Sequence, residues 1–398
     1  MSELKIKELI AKTFNDIASG LETGSFGANV RVGLTTLGSE HGVENLVRGA
    51  ELAAANAGGS FEIVLIGPKC DTKLEIVEVN EESEMHKKME ELLDSGYIQS
   101  CVTMHYNFNI GISTVGRVIT PGKGRAMYLA TTTGTSSPHR TEAMVKNALY
   151  GIVTAKAMGI ANPTVGILNL DGARQTERAL RQLDANGYKI NFTESVRADG
   201  GVVMRGNDLL GGSCDVMVTD TLTGNVLMKM FSSYTTGGDY ESLGDGYGPG
   251  VGPDMQRTVL ILSRASGTPV VSNALAYAAR LAKGKLVDVA RAEFAQAEKA
   301  GLSEILAGLK NDGKKAAAAE AESAPVAAPT KEVVTGQISG IDILDLEDAV
   351  QVLWKAGIYA ESGMGCTGPI VLVSEEKLAQ ATKALAHAGY VAGIAEGC

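Results

Sequence analysis

Four short apolar runs constrain this chain more than any other feature. Residues 126–130, 164–170, 215–220 and 258–262 are continuous rather than alternating in polarity. Each ends in a polar or glycine-containing turn, and each leads into a segment of helical spacing. A short run without alternation reads as a strand covered on both faces, and such strands alternating with helices build a mostly parallel sheet. The same order opens the chain, with a strand over 30–34, a helix over 43–57 and a strand over 61–67. Residues 84–95 predict a charged helix with Met85, Met89, Leu92 and Leu93 on one face, and residues 285–310 a terminal helix or pair. The segment 102–116 fits no single assignment. The expected fold is therefore α/β: a two-lobed α/β/α sandwich with a mostly parallel sheet, followed by a small tethered α/β domain.

Four segments follow from the pattern. Residues 1–29 carry Leu4, Ile6, Leu9, Ile10, Phe14, Ile17 and Leu21 at helical spacing, an amphipathic helix over 3–20. Residues 30–310 form the main domain. Residues 311–332 are rich in Ala, Glu, Lys and Pro, with Val326 the one large apolar residue, a composition too poor in apolar surface to pack. This is the expected linker. Residues 333–398 read as a small sandwich of ferredoxin-like type. Its expected elements are a strand near 333–338, a helix over 346–356, a strand over 370–373, a helix over 375–387 and a final strand over 390–392.

Composition narrows the function classes. The net charge of −10 argues against a nucleic-acid surface, which needs a basic face. No apolar run reaches the ~20 residues of a membrane span, and the first residues do not read as a signal peptide. A cytoplasmic protein is expected. The five cysteines and five histidines lack disulfide or metal-ligand spacing, so neither metal nor cofactor is expected. There is no phosphate-binding P-loop, and the glycine-rich run 246–252 lacks a dinucleotide-binding setting. It reads as a mobile loop or lid.

The candidate chemistry lies in the turns. Ligands of open parallel sheets sit beyond the carboxyl ends of the strands. There the chain has Thr133-Gly134-Thr135-Ser136, Thr223-Gly224-Asn225 at a helix start, and Ser263-Arg264, with His139-Arg140 as a further cation pair. Hydroxyls, helix N–H groups and a guanidinium fork together suit a small oxyanion, phosphate first. Taken singly, such turns are usually helix caps. Near the end, Gly365-Cys366-Thr367-Gly368-Pro369 sets a thiol among glycines, an arrangement that leaves sulfur uncovered. The bland alternative is a small buried cysteine beside a strand.

Residues 126–283 resemble the phosphate acyltransferases of phospholipid synthesis, through the run 160–169 and through 215–220 with Thr223-Gly224-Asn225. Leu262-Ser263-Arg264 resembles the active-site turn of phosphate acetyltransferases, where the matching serine and arginine bind the acyl phosphate. In those enzymes a glycine follows the pair; here Ala265 and Ser266 stand there. Neither family carries the Cys366 tail. The whole chain with that tail is similar to the family of component C alpha subunits of glycine/sarcosine/betaine reductase complexes. This resemblance implies an acyltransferase subunit that moves an acetyl group from a Cys366 thioester to inorganic phosphate. It also implies a ketoacyl-synthase-like beta subunit and the selenoprotein component A as partners. Three alternatives stay open: a non-catalytic scaffold, a transferase for longer acyl thioesters, and a redox role for Cys366 with Cys398.

Overall fold

A computed structural model describes Phe14 and residues 30–197, 201–309, 327–342, 345–365 and 368–391. The helix expected over 3–20 lies outside the described residues except for Phe14. So do Cys366, Cys398 and most of the expected linker, of which 327–332 are described and form no regular element. The described chain divides into two compact units. The first takes residues 30–138, 146–166 and 191–296; the second takes 139–145, 167–190 and the C-terminal part from 297.

Twelve strands form one sheet. They are β1 (Val30–Thr35), β2 (Phe61–Gly67), β3 (Glu75–Glu78), β4 (Ser100–Thr103), β5 (Ile112–Ile119), β6 (Ala126–Thr135), β7 (Thr164–Leu168), β8 (Asn191–Phe192), β9 (Val203–Met204), β10 (Val216–Val218), β11 (Gly248–Val251) and β12 (Val259–Ile261). Their order is β3-β2-β1-β4-β12-β11-β5-β6-β10-β7-β8, with β9 beside β7. The unassignable segment 102–116 holds the end of β4, an irregular connection over 104–111 and the first half of β5. The helices are α1 (Gly42–Ala57), α2 (Glu82–Asp94), α3 (Arg140–Ala157), α4 (Ala173–Ala185), α5 (Gly206–Gly211), α6 (Thr221–Ser233), α7 (Thr268–Lys283) and α8 (Leu286–Lys299). Residues 302–309 are helical as well. The continuous apolar runs are fully buried in β10 and β12, as strands covered on both faces must be.

Direction within the sheet changes at one place. β12 runs parallel to β4 and β1, and β10 parallel to β6. Between these sets, β12–β11, β11–β5 and β5–β6 are all antiparallel. An odd number of reversals separates β12 from β6, so the two parallel halves run in opposite directions and β11 is their seam. The glycine-rich run expected as a mobile loop or lid is this seam strand, buried along its length. Its glycines answer to space. A Cβ on Gly248, whose φ is +85°, would lie 1.8 Å from the Val115 carbonyl oxygen, and one on Gly250 would lie 2.4 Å from the Phe108 ring.

In the second unit, the C-terminal part holds β13 (Gly336–Ser339), α9 (Leu346–Lys355), β14 (Ala360–Gly365), β15 (Gly368–Val373) and α10 (Leu378–His387). The antiparallel sheet has the order β13-β15-β14. Leu346, Ala349, Val350 and Leu353 form the buried stripe of α9 and pack with Ile338, Val371, Val373 and Leu385. β14 was not expected, because its Glu-Ser-Gly-Met-Gly sequence has low strand propensity; it forms by pairing with the apolar β15. The final strand expected over 390–392 is absent among the described residues, where Tyr390 and Val391 form a bend. β14 and β15 end their pairing at Gly365 and Gly368, the residues that bracket Cys366-Thr367. Arg178 on α4 pairs with Asp345 at 3.4 Å.

Replacing Gly248 by alanine sets a methyl group against backbone at positive φ. This is expected to cost about 3 kcal/mol by overpacking and strain together, read as a lowered apparent melting temperature. Alanine at Gly58, open to solvent though also at positive φ, should cost less than half of that.

Candidate active site

The end of β12 runs through residues 263–267 into α7. Almost every carbonyl of that turn is held. Glu40 N donates to Arg264 O at 2.9 Å, Glu241 N to Ala265 O at 3.0 Å, and Ser266 N to Ser263 O at 3.1 Å. Asn45 Nδ2 reaches Ser266 O at 3.0 Å, and His41 Nε2 lies 3.3 Å from Ala265 O. The Ser263 hydroxyl accepts from Ala265 N at 3.2 Å. With its backbone so fixed, Arg264 extends its side chain into solvent, and among the described residues its guanidinium makes no ion pair. The turn feeds a 16-residue helix whose N-cap, Gly267, supplies no capping side chain. The N-terminal partial positive charge of α7 therefore lies three residues beyond Arg264 along the turn.

Beneath the turn lies Glu241, 2% exposed. Ser266 Oγ donates to its Oε2 at 3.0 Å, and Lys229 Nζ stands 3.8 Å from its Oε1. Burial pushes this carboxyl above its ordinary range, against the opposing pull of Ser263, Ser266, Lys229 and Tyr247 around it. Tyr247, itself buried, is raised by burial and then by Glu241. Glu241 Oε1 and the Tyr247 hydroxyl are buried without a hydrogen bond of ordinary geometry to protein. Ser266 thus holds one oxygen of this carboxylate.

The remaining expected residues form a second group. Thr223 N and Oγ1 both bond the Asp220 carboxylate, at 2.9 Å each, so the N-terminus of α6 is capped by an anion of the chain's own. Gly224 sits where a Cβ would lie 1.9 Å from the Thr131 carbonyl oxygen. Asn225 Nδ2 donates to Thr132 O at 2.9 Å. Ser136 Oγ donates to Asn147 Oδ1 at 2.6 Å, and Asn147 Nδ2 to Thr219 O at 2.8 Å. Gly134, at φ +86°, closes against Ile112 O. The hydroxyls of Thr133 and Thr135 make no hydrogen bond among the described residues. Arg140 is paired with Asp171 at 3.2 Å in the second unit.

Strand direction decides which groups meet. Register through β5 and β11 sets Ala130 level with Leu260, while the ends of β6 and β12 leave in opposite directions. The turns expected at a common sheet edge are therefore not brought to one. α6 also spans them: its Lys229 reaches Glu241, whereas Thr223 lies six residues, about 9 Å, further along the axis. One relay joins the groups. β6 bulges opposite Thr114, and Thr132 Oγ1 donates to Tyr247 O at 2.8 Å, whose ring continues to Glu241.

The described cysteines are unsuited to thiolate chemistry. Burial pushes Cys214 up to about 12 and Cys101 higher still, and Cys70 is raised by burial and by Glu51 and Asp71. Among the described residues no group of three or more His, Cys, Asp or Glu could hold a metal ion, and no helix is long and apolar enough to cross a membrane. Glu241, Tyr247 and Lys229 carried no local sequence signal. They are distant in sequence from Ser263, and only the seam strand and α6 bring them to it.

A parallel-sheet body with a Ser-Arg turn at a strand end defines a class, and comparison with known proteins gives it a family. The family model described as "Fatty acid synthesis protein" matches residues 30–372. The component C alpha subunit of the glycine/sarcosine/betaine reductase complex of Peptoclostridium acidaminophilum is 68% identical over 387 residues, covering 97% of this chain and 99% of that one. A phosphate acyltransferase of Geobacillus thermodenitrificans is 27% identical over 246 residues, 50% of this chain and 70% of that one. A branched-chain phosphotransacylase structure from Enterococcus faecalis superposes with a TM-score of 0.45 at 17% identity, covering 64% of this chain and 99% of that one. The chain belongs to the fatty acid synthesis protein family and, within it, to the component C alpha subunits.

The raised Glu241 carboxyl has a consequence for stability. A carboxyl that binds its proton more tightly folded than unfolded makes stability fall as pH rises from the ordinary carboxyl value through the raised one. Glu241→Gln is therefore expected to melt higher than the wild type at neutral pH, with the gap closing below the ordinary carboxyl range. Thermal unfolding at several pH values measures it; a variant that melts lower at neutral pH would contradict the raised carboxyl.

Proposed function

We propose that this chain passes an acetyl group between a thioester on Cys366 and inorganic phosphate, forming acetyl phosphate, with Ser263 and Arg264 holding the phosphate. The observation that carries this reading is Arg264. Its guanidinium has no ion pair among the described residues, and the residue stands on a turn pinned from three sides that leads into a helix without a side-chain cap. A planar fork on a fixed backbone suits a phosphate oxygen pair, and the helix dipole adds to it. The likeness to phosphate acyltransferases supports the reaction class, and the 68% identity to a component C alpha subunit supports its setting.

Cys366 is the acyl carrier in this reading. The described cysteines have raised thiols, which leaves the glycine-bracketed Cys366 as the better candidate for a nucleophile. Residues 311–332 serve as the tether, raising the effective concentration of the thioester at the phosphate site. Phosphate oxygen attacks the thioester carbonyl and the thiolate leaves. The segments Thr133–Ser136 and Thr223–Asn225, expected to bind phosphate, are reassigned here to support. Ser136 bonds Asn147, and Asn225 bonds the Thr132 carbonyl in the β6 bulge, whose Thr132 hydroxyl bonds Tyr247 at the floor of the Ser263 turn. In a cytoplasmic reductase complex the acetyl group would arrive from the ketoacyl-synthase-like beta subunit, downstream of selenoprotein component A.

Incubating the full chain with acetyl phosphate should place an acetyl group on Cys366, detected by peptide mass mapping and released by hydroxylamine. Arg264→Ala should slow its formation about 10²-fold, the loss typical of one charge-stabilising donor. Absence of the adduct both alone and with the beta subunit added would overturn the proposal.

A further inference from the structure

We infer that Glu241 is the proton acceptor for this transfer, acting through the Ser263 hydroxyl. The inference rests on the functional reading above. It stands on the placement of one carboxylate. Glu241 is buried under the candidate turn with Ser266 on one oxygen and Ser263 beside it. Its other oxygen, Oε1, has Lys229 Nζ at 3.8 Å, and the Ser263 and Tyr247 hydroxyls interact with the carboxylate. The groups facing it are Lys229 from α6, Tyr247 from the approach to β11, and Ser263 and Ser266 from the turn. One cation at 3.8 Å offsets its charge only partly.

The reaction needs such a group. Hydrogen phosphate carries one proton that acetyl phosphate does not. As the phosphate oxygen forms its bond to the carbonyl carbon and the carbon–sulfur bond breaks, that proton must leave. In the proposed step it passes to Ser263 Oγ while the Ser263 proton passes to Glu241. The electron pair of the broken bond stays on Cys366 sulfur, which takes a proton from solvent, and Glu241 returns its own proton to solvent. A carboxyl raised by burial is a better acceptor near neutrality than an ordinary one. Glu241 does not touch phosphate in this scheme, so it is a positioning and relay residue, and its signature is in the pH profile.

The test is exchange of radiolabelled inorganic phosphate into acetyl phosphate by the full chain, measured against pH and phosphate concentration. The wild type is expected to show a rate that rises with pH through a limb lying above the ordinary carboxyl range. Glu241→Gln should lower kcat about 10²-fold, leave KM for phosphate within about threefold, and flatten that limb; Glu241→Asp should restore part of it. A Glu241→Gln protein that keeps the limb, whatever its rate, overturns the inference while leaving the transfer itself standing. If this variant does not fold, Ser263→Ala cuts the same relay and must flatten the limb, and a retained limb overturns the inference equally. Absence of exchange in the wild type, with the beta subunit present, would overturn the functional reading and this inference together.

Discussion

The first unit depends on the close approach of one glycine strand to its neighbours. Two parallel half-sheets of opposite direction can share a sheet only through antiparallel strands, and β11 is where that happens. Neighbouring backbone at Gly248 and the Phe108 ring at Gly250 leave no room for a methyl group. Directly before this strand stands Tyr247. Its carbonyl accepts from Thr132 in the β6 bulge, and its ring meets Glu241 beneath the Ser263 turn. The seam thus sets both the sheet and the distance between the two groups of candidate residues.

Two buried carboxylates near the seam are solved in different ways. Asp245 is bonded by Arg117, with Arg280 at 3.8 Å, and burial still raises its carboxyl against both arginines. Glu241 has one cation, Lys229, at 3.8 Å, and the hydroxyls of Ser263, Ser266 and Tyr247 around it. Removing a charge from water without full pairing is unfavourable. The same contrast separates the helix termini. α6 is closed by Asp220, whereas α7 follows Gly267 without a side-chain cap.

Legibility followed the kind of signal each element carries. β7, β10 and β12 were readable because a strand buried on both faces must be apolar throughout. α9 was readable because Leu346, Ala349, Val350 and Leu353 recur at helical spacing. β11 and β14 were not, since glycine-rich sequence has no polarity pattern and these strands exist through their partners. Glycines at 248, 250 and 252 looked like freedom and are close packing. Likewise Thr223-Gly224-Asn225 looked like an anion site, while its hydrogen bonds go to Asp220 and Thr132.

By itself the sequence determined the α/β class, the order of most elements and the family, and it marked Ser263, Arg264 and Cys366 as candidates. These are properties of short windows, where periodicity and motif chemistry reside. Only the tertiary structure decided which turns could cooperate, because strand direction is a property of pairing and not of any one strand. It also decided that Glu241, 22 residues before Ser263 in the chain, is its neighbour. A lone glutamate after a tyrosine has no local pattern to mark it; its burial, and the chemistry that burial permits, arise when the seam strand folds Tyr247 and the carboxylate under the turn.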